Sequence, residues 1–226
     1  MLRIIAGELG GRRLRAPAGL ATRPTTDRVR EALFNILVSS PLPLYGGTVL
    51  DLYAGSGALG IEALSRGASS VVFVEQDPQA AKILRQNLHE LSLSTRALVL
   101  EQPVQRALSR LLKSPAPGFG PPFDLVVADP PYATCQSGEL AQLVTQLQAA
   151  RAPLLADQAL VVIEHASRDT STVAAMAAPT AAATLSFEQS RRYGDTTLTF
   201  FAAAPTVAAP LLDAPQAVFF DGGEPL

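Results

Sequence analysis

From Thr48 onward the chain alternates short, nearly continuous apolar runs with longer stretches whose apolar residues recur at helical spacing. The runs Thr48–Tyr53, Ser70–Glu75, Ala97–Leu100, Asp124–Ala128 and Ala159–Glu164 read as strands covered on both faces, because a half-exposed strand would alternate polar and apolar positions. Between them, 58–66, 78–91, 103–112 and 138–150 read as helices, with loops at Pro115–Pro122 and Pro131–Gly138. Strands separated by helices need crossover connections, so the five runs are expected to form a doubly wound parallel sheet. Near the end, Thr184–Gln189 and Thr196–Ala202 flank Tyr193-Gly194-Asp195, a hairpin signal, so the sheet should finish antiparallel with seven strands. The expected class is α/β, Rossmann-like and mostly parallel.

The two ends of the chain read differently. Residues 1–16 alternate loosely around Gly10-Gly11, as in a short hairpin, and a helix is expected from Thr26 to Ser39. Thr25 or Thr26 can cap that helix, Val29, Leu33, Ile36 and Leu37 give it an apolar side, and Pro41 and Pro43 stop it. Residues 171–183 are alanine-rich and carry little information. Residues 205–226 hold four prolines and two adjacent glycines without periodicity, so they read as a loosely held tail in which Val218-Phe219-Phe220 is the one apolar cluster. The predicted division is a small N-terminal hairpin-plus-helix appendage (1–44), a main domain (45–204) and a proline-rich tail (205–226).

Composition narrows the setting. Hydrophobic residues make up 48% of the 226 positions and charged residues 17%, enough apolar material for a folded core, yet no apolar run approaches the roughly 18 residues of a membrane span. A single cysteine, Cys135, cannot form an internal disulfide, and no leader-like segment opens the sequence, so a cytoplasmic location is expected. The net charge of −2 argues against a nucleic-acid partner on average. The first 30 residues depart from that average, with seven arginines against Glu8 and Asp27, a formal +5 that leaves −7 for the rest. A phosphate-binding surface, if present, is therefore local, with Arg12, Arg13, Arg15, Arg23 and Arg28 as candidates. The bland alternative is a solvated basic hairpin; seven arginines without a lysine suit bidentate phosphate contacts and favour binding, a point weakened by the bias of 16 arginines to 2 lysines along the whole chain.

Candidate chemistry lies in two segments. After the first predicted strand, Asp51-Leu52-Tyr53-Ala54-Gly55-Ser56-Gly57-Ala58-Leu59-Gly60 contains GxGxxG, and Glu75 ends the second strand. Missing side chains let a ligand approach the turn and let the helix pack close to the strand, while a carboxylate after the second strand suits ribose hydroxyls. That pair fits a nicotinamide dinucleotide as well as another adenosine cofactor. The discriminating segment is Asp129-Pro130-Pro131-Tyr132 after the fourth strand, which the topology should bring to the same crevice. Two prolines stiffen the loop and remove two backbone donors, leaving the Asp129 carboxylate and Pro130 carbonyl as acceptors for both hydrogens of a base amino group. Tyr132 would stack on the base.

Together these motifs resemble the class I amino-methyltransferases, whose base-amino branch carries an acid or amide, two prolines and an aromatic. Thr22-Arg23-Pro24-Thr25-Thr26-Asp27-Arg28-Val29-Arg30-Glu31-Ala32-Leu33-Phe34-Asn35-Ile36-Leu37 resembles more closely the opening of the RsmD family, bacterial 16S ribosomal RNA guanine-N2 methyltransferases. Arg3-Ile4-Ile5-Ala6-Gly7 and Tyr193-Gly194-Asp195-Thr196-Thr197-Leu198 are similar to that family too, so the likeness spans about residues 1–203. It implies S-adenosylmethionine as cofactor, with Asp51, Tyr53, Ala54, Gly55, Ser56 and Gly57 bordering its methionine part and Glu75 holding the ribose. It also implies that Asp129 to Tyr132 hold a guanine amino group, and that the partner is 16S ribosomal RNA in the small subunit or its assembly intermediate, met by a monomer. The chain departs from the family after the third strand, where Glu101-Gln102-Pro103 replaces the usual Asp or Asn beside the adenine, so Gln102 becomes the candidate there.

Other readings remain at this stage. A DNA adenine-N6 methyltransferase shares both motifs but normally carries a target-reading domain for which this chain has little room. A nicotinamide oxidoreductase leaves Asp129–Tyr132 unexplained, and a non-catalytic RNA-binding module has only the altered Glu101–Pro103 stretch in its favour. Cys135 reads as an ordinary loop thiol. His89 and His165 lack ligand-spaced partners, so no metal is expected.

Overall fold

The computed structural model describes residues 2–16, 27–39, 44–131, 138–169, 173 and 184–204. A first helix, α1 (Asp27–Val38), precedes the alternation β1 (Thr48–Leu52), α2 (Ala58–Ser65), β2 (Ser70–Glu75), α3 (Pro78–Glu90), β3 (Ala97–Glu101), α4 (Val104–Lys113) and β4 (Phe123–Ala128). Then follow α5 (Glu139–Ala149), the short α6 (Arg151–Leu154), β5 (Leu155–Ala166), β6 (Leu185–Tyr193) and β7 (Thr196–Ala203). The strands form one seven-stranded sheet in the order β3-β2-β1-β4-β5-β7-β6. Pairs among β1 to β5 are parallel, and β7 is antiparallel to both β5 and β6. The expected α/β, mostly parallel fold with an antiparallel finish is thus the one present.

Layering follows from which side chains each strand sends to each face. Leu50, Leu52, Val72, Val74, Val126 and Ala128 join one apolar cluster with Leu108 and Leu111 of α4 and Leu143 and Leu147 of α5. Val49, Val71, Phe73, Leu125 and Val127 join the other, with Phe34 of α1, Ile61 of α2 and Leu84 of α3. Two covered faces explain why the parallel strands read as unbroken apolar runs. At the outer edge β6 is mostly exposed, carries a register shift between Phe187 and Gln189, and presents Glu188, Arg191 and Arg192 to solvent.

Several boundaries differ from the sequence expectation. β5 begins at Leu155 rather than Ala159, and β6 runs on to Tyr193. The added stretch of β5 pairs through Leu155 with Phe123 and then skips register past Asp157 and Gln158, and β6 pairs on through Arg191 and Arg192; these polar residues weaken the apolar signal. The helix α6 holds Pro153, which reads as a breaker yet is tolerated within a first turn. Residues 2–14 do not form a full hairpin ladder. A single bridge joins Arg3 to Arg13, supported by Ile4 N to Arg12 O (2.9 Å), Gly11 N to Ile4 O (2.9 Å) and Leu14 N to Leu2 O (3.0 Å). The predicted caps at Thr25 and Thr26, the stops at Pro41 and Pro43, and the 205–226 tail lie outside the described residues.

The N-terminal segment is fastened to α2. Glu62, with its side chain wholly buried, accepts the amides of Ile5 (2.7 Å) and Ala6 (3.1 Å) and the Arg66 Nε (2.7 Å). Ser65 Oγ accepts the Leu9 amide (3.0 Å) and donates to Ala6 O (2.6 Å). Arg30, also fully buried, donates to Asp27 (2.9 Å) and to Arg3 O. Ile4 and Leu14 therefore share the α1–α2–α3 core.

At the start of α2, Gly60 comes so close to the sheet that an added Cβ would sit 2.3 Å from Phe73 Cε1 and 2.9 Å from Asp51 Oδ2. Gly60→Ala is therefore expected to lower stability by about 1–3 kcal/mol through overpacking, readable as a reduced midpoint in denaturant unfolding. An unchanged midpoint would mean that the junction yields without strain.

Candidate active site

The strand order reverses at β1, which has β2 on one side and β4 on the other. In doubly wound sheets this switch point opens a crevice at the carboxyl ends of the strands. Leu52 pairs with Val74 on β2 and Ala128 on β4, so the glycine loop after β1, Glu75 at the end of β2 and Asp129 just past β4 emerge at one edge. Glu75 is in register with Glu101, which brings Gln102 to the same edge. Continuity with the loop is direct: the Asp129 amide approaches Leu52 O at 3.4 Å, and the Ala54 amide donates to Val74 O at 3.0 Å.

Each wall has its own support. Tyr53, half-buried, turns out of β1 with φ 61°, a left-handed conformation unusual for an aromatic residue, and Gly55 and Gly57 follow with φ 56° and 86°. Glu75 props the loop by accepting the Gly55 amide through Oε2 (2.7 Å), and its Oε1 accepts the Asp77 amide (2.7 Å). Asp77 in turn caps α3 by accepting from Gln79 and Ala80. A Cβ on Gly55 would meet nothing within 4 Å, so this part of the loop borders open space. Ala54 is buried and Ser56 half-buried.

Asp51 lies deeper than its place in the motif suggests. It is 1% exposed, and its Oδ2 accepts the Gly60 amide at 2.9 Å. Burial pushes its carboxyl up to about 8, against the lowering effect of that hydrogen bond, and the like charges of Asp129 and Glu75 raise it further. Asp129 and Glu75 thus lie near enough to Asp51 for their charges to be felt there. Asp129 is partly exposed, Pro130 buried and Pro131 exposed, while Tyr132 lies outside the described residues. Gln102 sends its backbone amide to Glu75 O (3.0 Å), and its Nε2 is buried without a hydrogen-bond partner.

The basic candidates separate. Arg15 pairs with Glu90 at 2.7 Å, and Arg12 Nη2 reaches Glu90 O at 3.4 Å. Arg13 and Arg28 are exposed, and Arg23 lies outside the described residues, as does Cys135. His165 is a core residue: its Nδ1 meets Ala166 O and its Nε2 the Thr199 hydroxyl, and burial lowers its pKa. Among the described residues no group of three His, Cys, Asp or Glu is arranged for a metal, and no helix is long and apolar enough to cross a membrane. Sequence reasoning overlooked Glu62, Ser65 and Asn87. Each is a polar residue on a helix, Glu62 and Ser65 on the almost wholly buried α2 and Asn87 on α3, and only the partner it meets in the fold reveals its role.

A family model described as "Conserved hypothetical protein 95" matches residues 2–202. The "Putative rRNA methyltransferase YlbH" of Bacillus subtilis is 40% identical over 165 residues, covering 73% of this chain and 82% of that protein. "Ribosomal RNA small subunit methyltransferase D" of Escherichia coli K12 is 38% identical over 163 residues, covering 72% of this chain and 74% of its own length. The solved structure "Putative methyltransferase yhhF from Escherichia coli" superimposes with a TM-score of 0.70 at 32% identity, covering 90% of this chain and 98% of that one.

The raised Asp51 pKa gives a signed expectation. The folded chain keeps this proton between about pH 4 and 8, where the unfolded chain has released it, so the group's stabilising contribution is complete below about 4 and is lost as pH climbs to about 8. Asp51→Asn keeps an acceptor for Gly60 without titrating. Its melting temperature should gain steadily on the parent's from pH 5 to 8 and no further above about 9; parallel curves would show that Asp51 does not titrate there.

Proposed function

The chain belongs to the RsmD family, and from that premise we propose that it transfers a methyl group from S-adenosylmethionine to the exocyclic N2 amino group of a guanine in 16S ribosomal RNA. The observation that carries this reading is the Asp129 amide against the Leu52 carbonyl, which sets the Asp-Pro-Pro loop beside the glycine loop at the switch point. The substrate class follows the names of the relatives, which are ribosomal RNA methyltransferases.

The residues suit the cofactor on three counts. Open space lies beside Gly55, Gln102 Nε2 is an orphaned buried donor, and carboxylates surround the crevice. An unpaired buried donor costs about 1–3 kcal/mol, which a ligand acceptor would relieve. Glu75 would hold the ribose hydroxyls, Gln102 the adenine, and the loop Tyr53, Ala54, Gly55, Ser56 and Gly57 the methionine part, with Asp51 keeping the loop's helix in place. When bound, S-adenosylmethionine supplies an electrophilic methyl group on a sulfonium centre. The negative charge of Asp129 and Glu75 favours a cation there.

Asp129 and Pro130 do the work on the nucleophile's side. The carboxylate and the carbonyl accept the two amino hydrogens, holding the nitrogen so that its lone pair faces the donor. The fixed proline backbone holds that carbonyl with little freedom to move. A stacked base has to leave its stack for its amino group to meet Asp129 and Pro130, and Tyr132 would replace part of the lost stacking. Arg12, Arg13, Arg15, Arg23 and Arg28 would grip phosphates, which positions the RNA without reading its sequence. The alternative of DNA adenine-N6 methylation shares the acceptor loop and is separated by the product.

Asp129→Ala should abolish labelled methyl transfer to small subunits from a strain lacking the corresponding enzyme, while S-adenosylhomocysteine still binds in calorimetry. Turnover at the parental rate would remove Asp129 from the chemistry, and nucleoside analysis yielding N6-methyladenosine instead of N2-methylguanosine would overturn the substrate assignment. Arg12→Ala with Arg13→Ala should weaken RNA binding and flatten its dependence on log salt by about 1–2 in slope. An unaltered slope would make those arginines structural.

A further inference from the structure

Asn87 of α3 is 2% exposed and meets three main-chain groups. Its Nδ2 donates to Ser56 O (2.9 Å) and Arg15 O (3.1 Å), and its Oδ1 accepts the Arg15 amide (2.9 Å). Two carbonyls and one N–H permit only one orientation of the side-chain amide, and a carboxylate of the same size could not serve them. Ser56 belongs to the glycine loop, whereas Arg15 ends the basic N-terminal segment.

The Ser56–Gly57 peptide is pinned at both ends, because the Gly57 amide donates to Ala54 O (2.7 Å) while the Ser56 carbonyl goes to Asn87. One turn earlier on α3, Leu84 Cδ1 lies 2.3 Å from where a Gly57 Cβ would sit, so the same helix buttresses the loop twice. Arg15 also returns to α3 through its ion pair with Glu90. The other fastenings of the N-terminal segment differ, since the Glu62 and Ser65 side chains bond to Ile5, Ala6, Leu9 and Arg66 rather than to the 54–57 loop.

Resting on the function proposed above, we infer that Asn87 is a positioning residue that ties the cofactor loop to the RNA-gripping segment, so that ordering either one orders the other. A side chain shared by two binding elements makes their free energies reciprocal: a ligand that fixes Ser56 also restrains Arg15. This role is specific to an amide, which can donate twice and accept once.

The test uses S-adenosylhomocysteine as probe on the full chain, with calorimetric affinity and amide hydrogen exchange at Arg15 as readouts. In the parent, the probe should slow exchange of the Arg15 amide. In Asn87→Ser its Kd should rise about tenfold and the effect on Arg15 should vanish, whereas Glu62→Gln, which loosens the same segment elsewhere, should leave Kd within about twofold. Asn87→Asp should match the serine variant if it folds; if it does not, the serine variant and the parent's exchange decide. Equal affinities in Asn87→Ser and the parent, or Arg15 exchange indifferent to the probe in the parent, would overturn the inference. A parent that fails to bind the probe at all overturns the cofactor reading and this inference with it.

Discussion

A carboxylate sealed between sheet and helix is the constraint from which the site is built. Asp51 can occupy that position only because the Gly60 amide reaches it and because residue 60 has no side chain to keep α2 away from Phe73. Once α2 is held at that distance, the five residues between Leu52 and Ala58 have a short, fixed gap to close, and Tyr53, Gly55 and Gly57 adopt left-handed backbone to close it. Such strain is stable only where surrounding structure over-determines it. Here Glu75 holds the loop from β2, Asn87 holds it from α3, and Leu52 links it to Asp129 just past β4.

The same economy governs the N-terminal charge. Seven arginines against two acids suggested a surface devoted to phosphates, yet Arg3, Arg15 and Arg30 are engaged with Asp27, Glu90 and the Asp27–Glu62 cluster. Of these only Arg30 and Glu62 are both buried, and breaking a buried pair typically costs about 3–5 kcal/mol; the Arg3 and Arg15 pairs are exposed and hold the segment only weakly, so part of the basic character serves attachment. Arg13 and Arg28 remain exposed, which makes any grip on RNA a matter of few contacts placed accurately, not of a broad electrostatic field.

Much of this was legible beforehand because parallel strands and crossover helices write themselves as alternating hydrophobic periods. All seven strands overlap the expected segments, five marked by apolar runs and the last two by the hairpin signal, and the glycine and Asp-Pro-Pro segments were assigned to one edge by topology alone. The ends of β5 and β6 were not legible, since the polar residues there, Asp157 and Gln158 in the irregular start of β5 and Arg191 and Arg192 at the paired end of β6, carry no hydrophobic signal. Nor was the role of Asn87, because its three partners lie 31 and 72 positions away in sequence and become neighbours only after folding. The Asp-Pro-Pro segment spoke against a nicotinamide cofactor, and the family likeness supplied what spacing could not, RNA over DNA. The placement of Tyr132, Arg23 and the tail belongs to segments outside the described residues.

An open sheet of seven strands has two unpaired borders, and β6 is one of them. Its irregular register near Glu188, together with Arg191 and Arg192 facing outward, places a bend and repelling like charges where another chain would need a flat row of free amides and carbonyls. A border that refuses lateral zippering leaves the sheet free to end at β6, so copies of the chain can be concentrated without fusing edge to edge into fibrils.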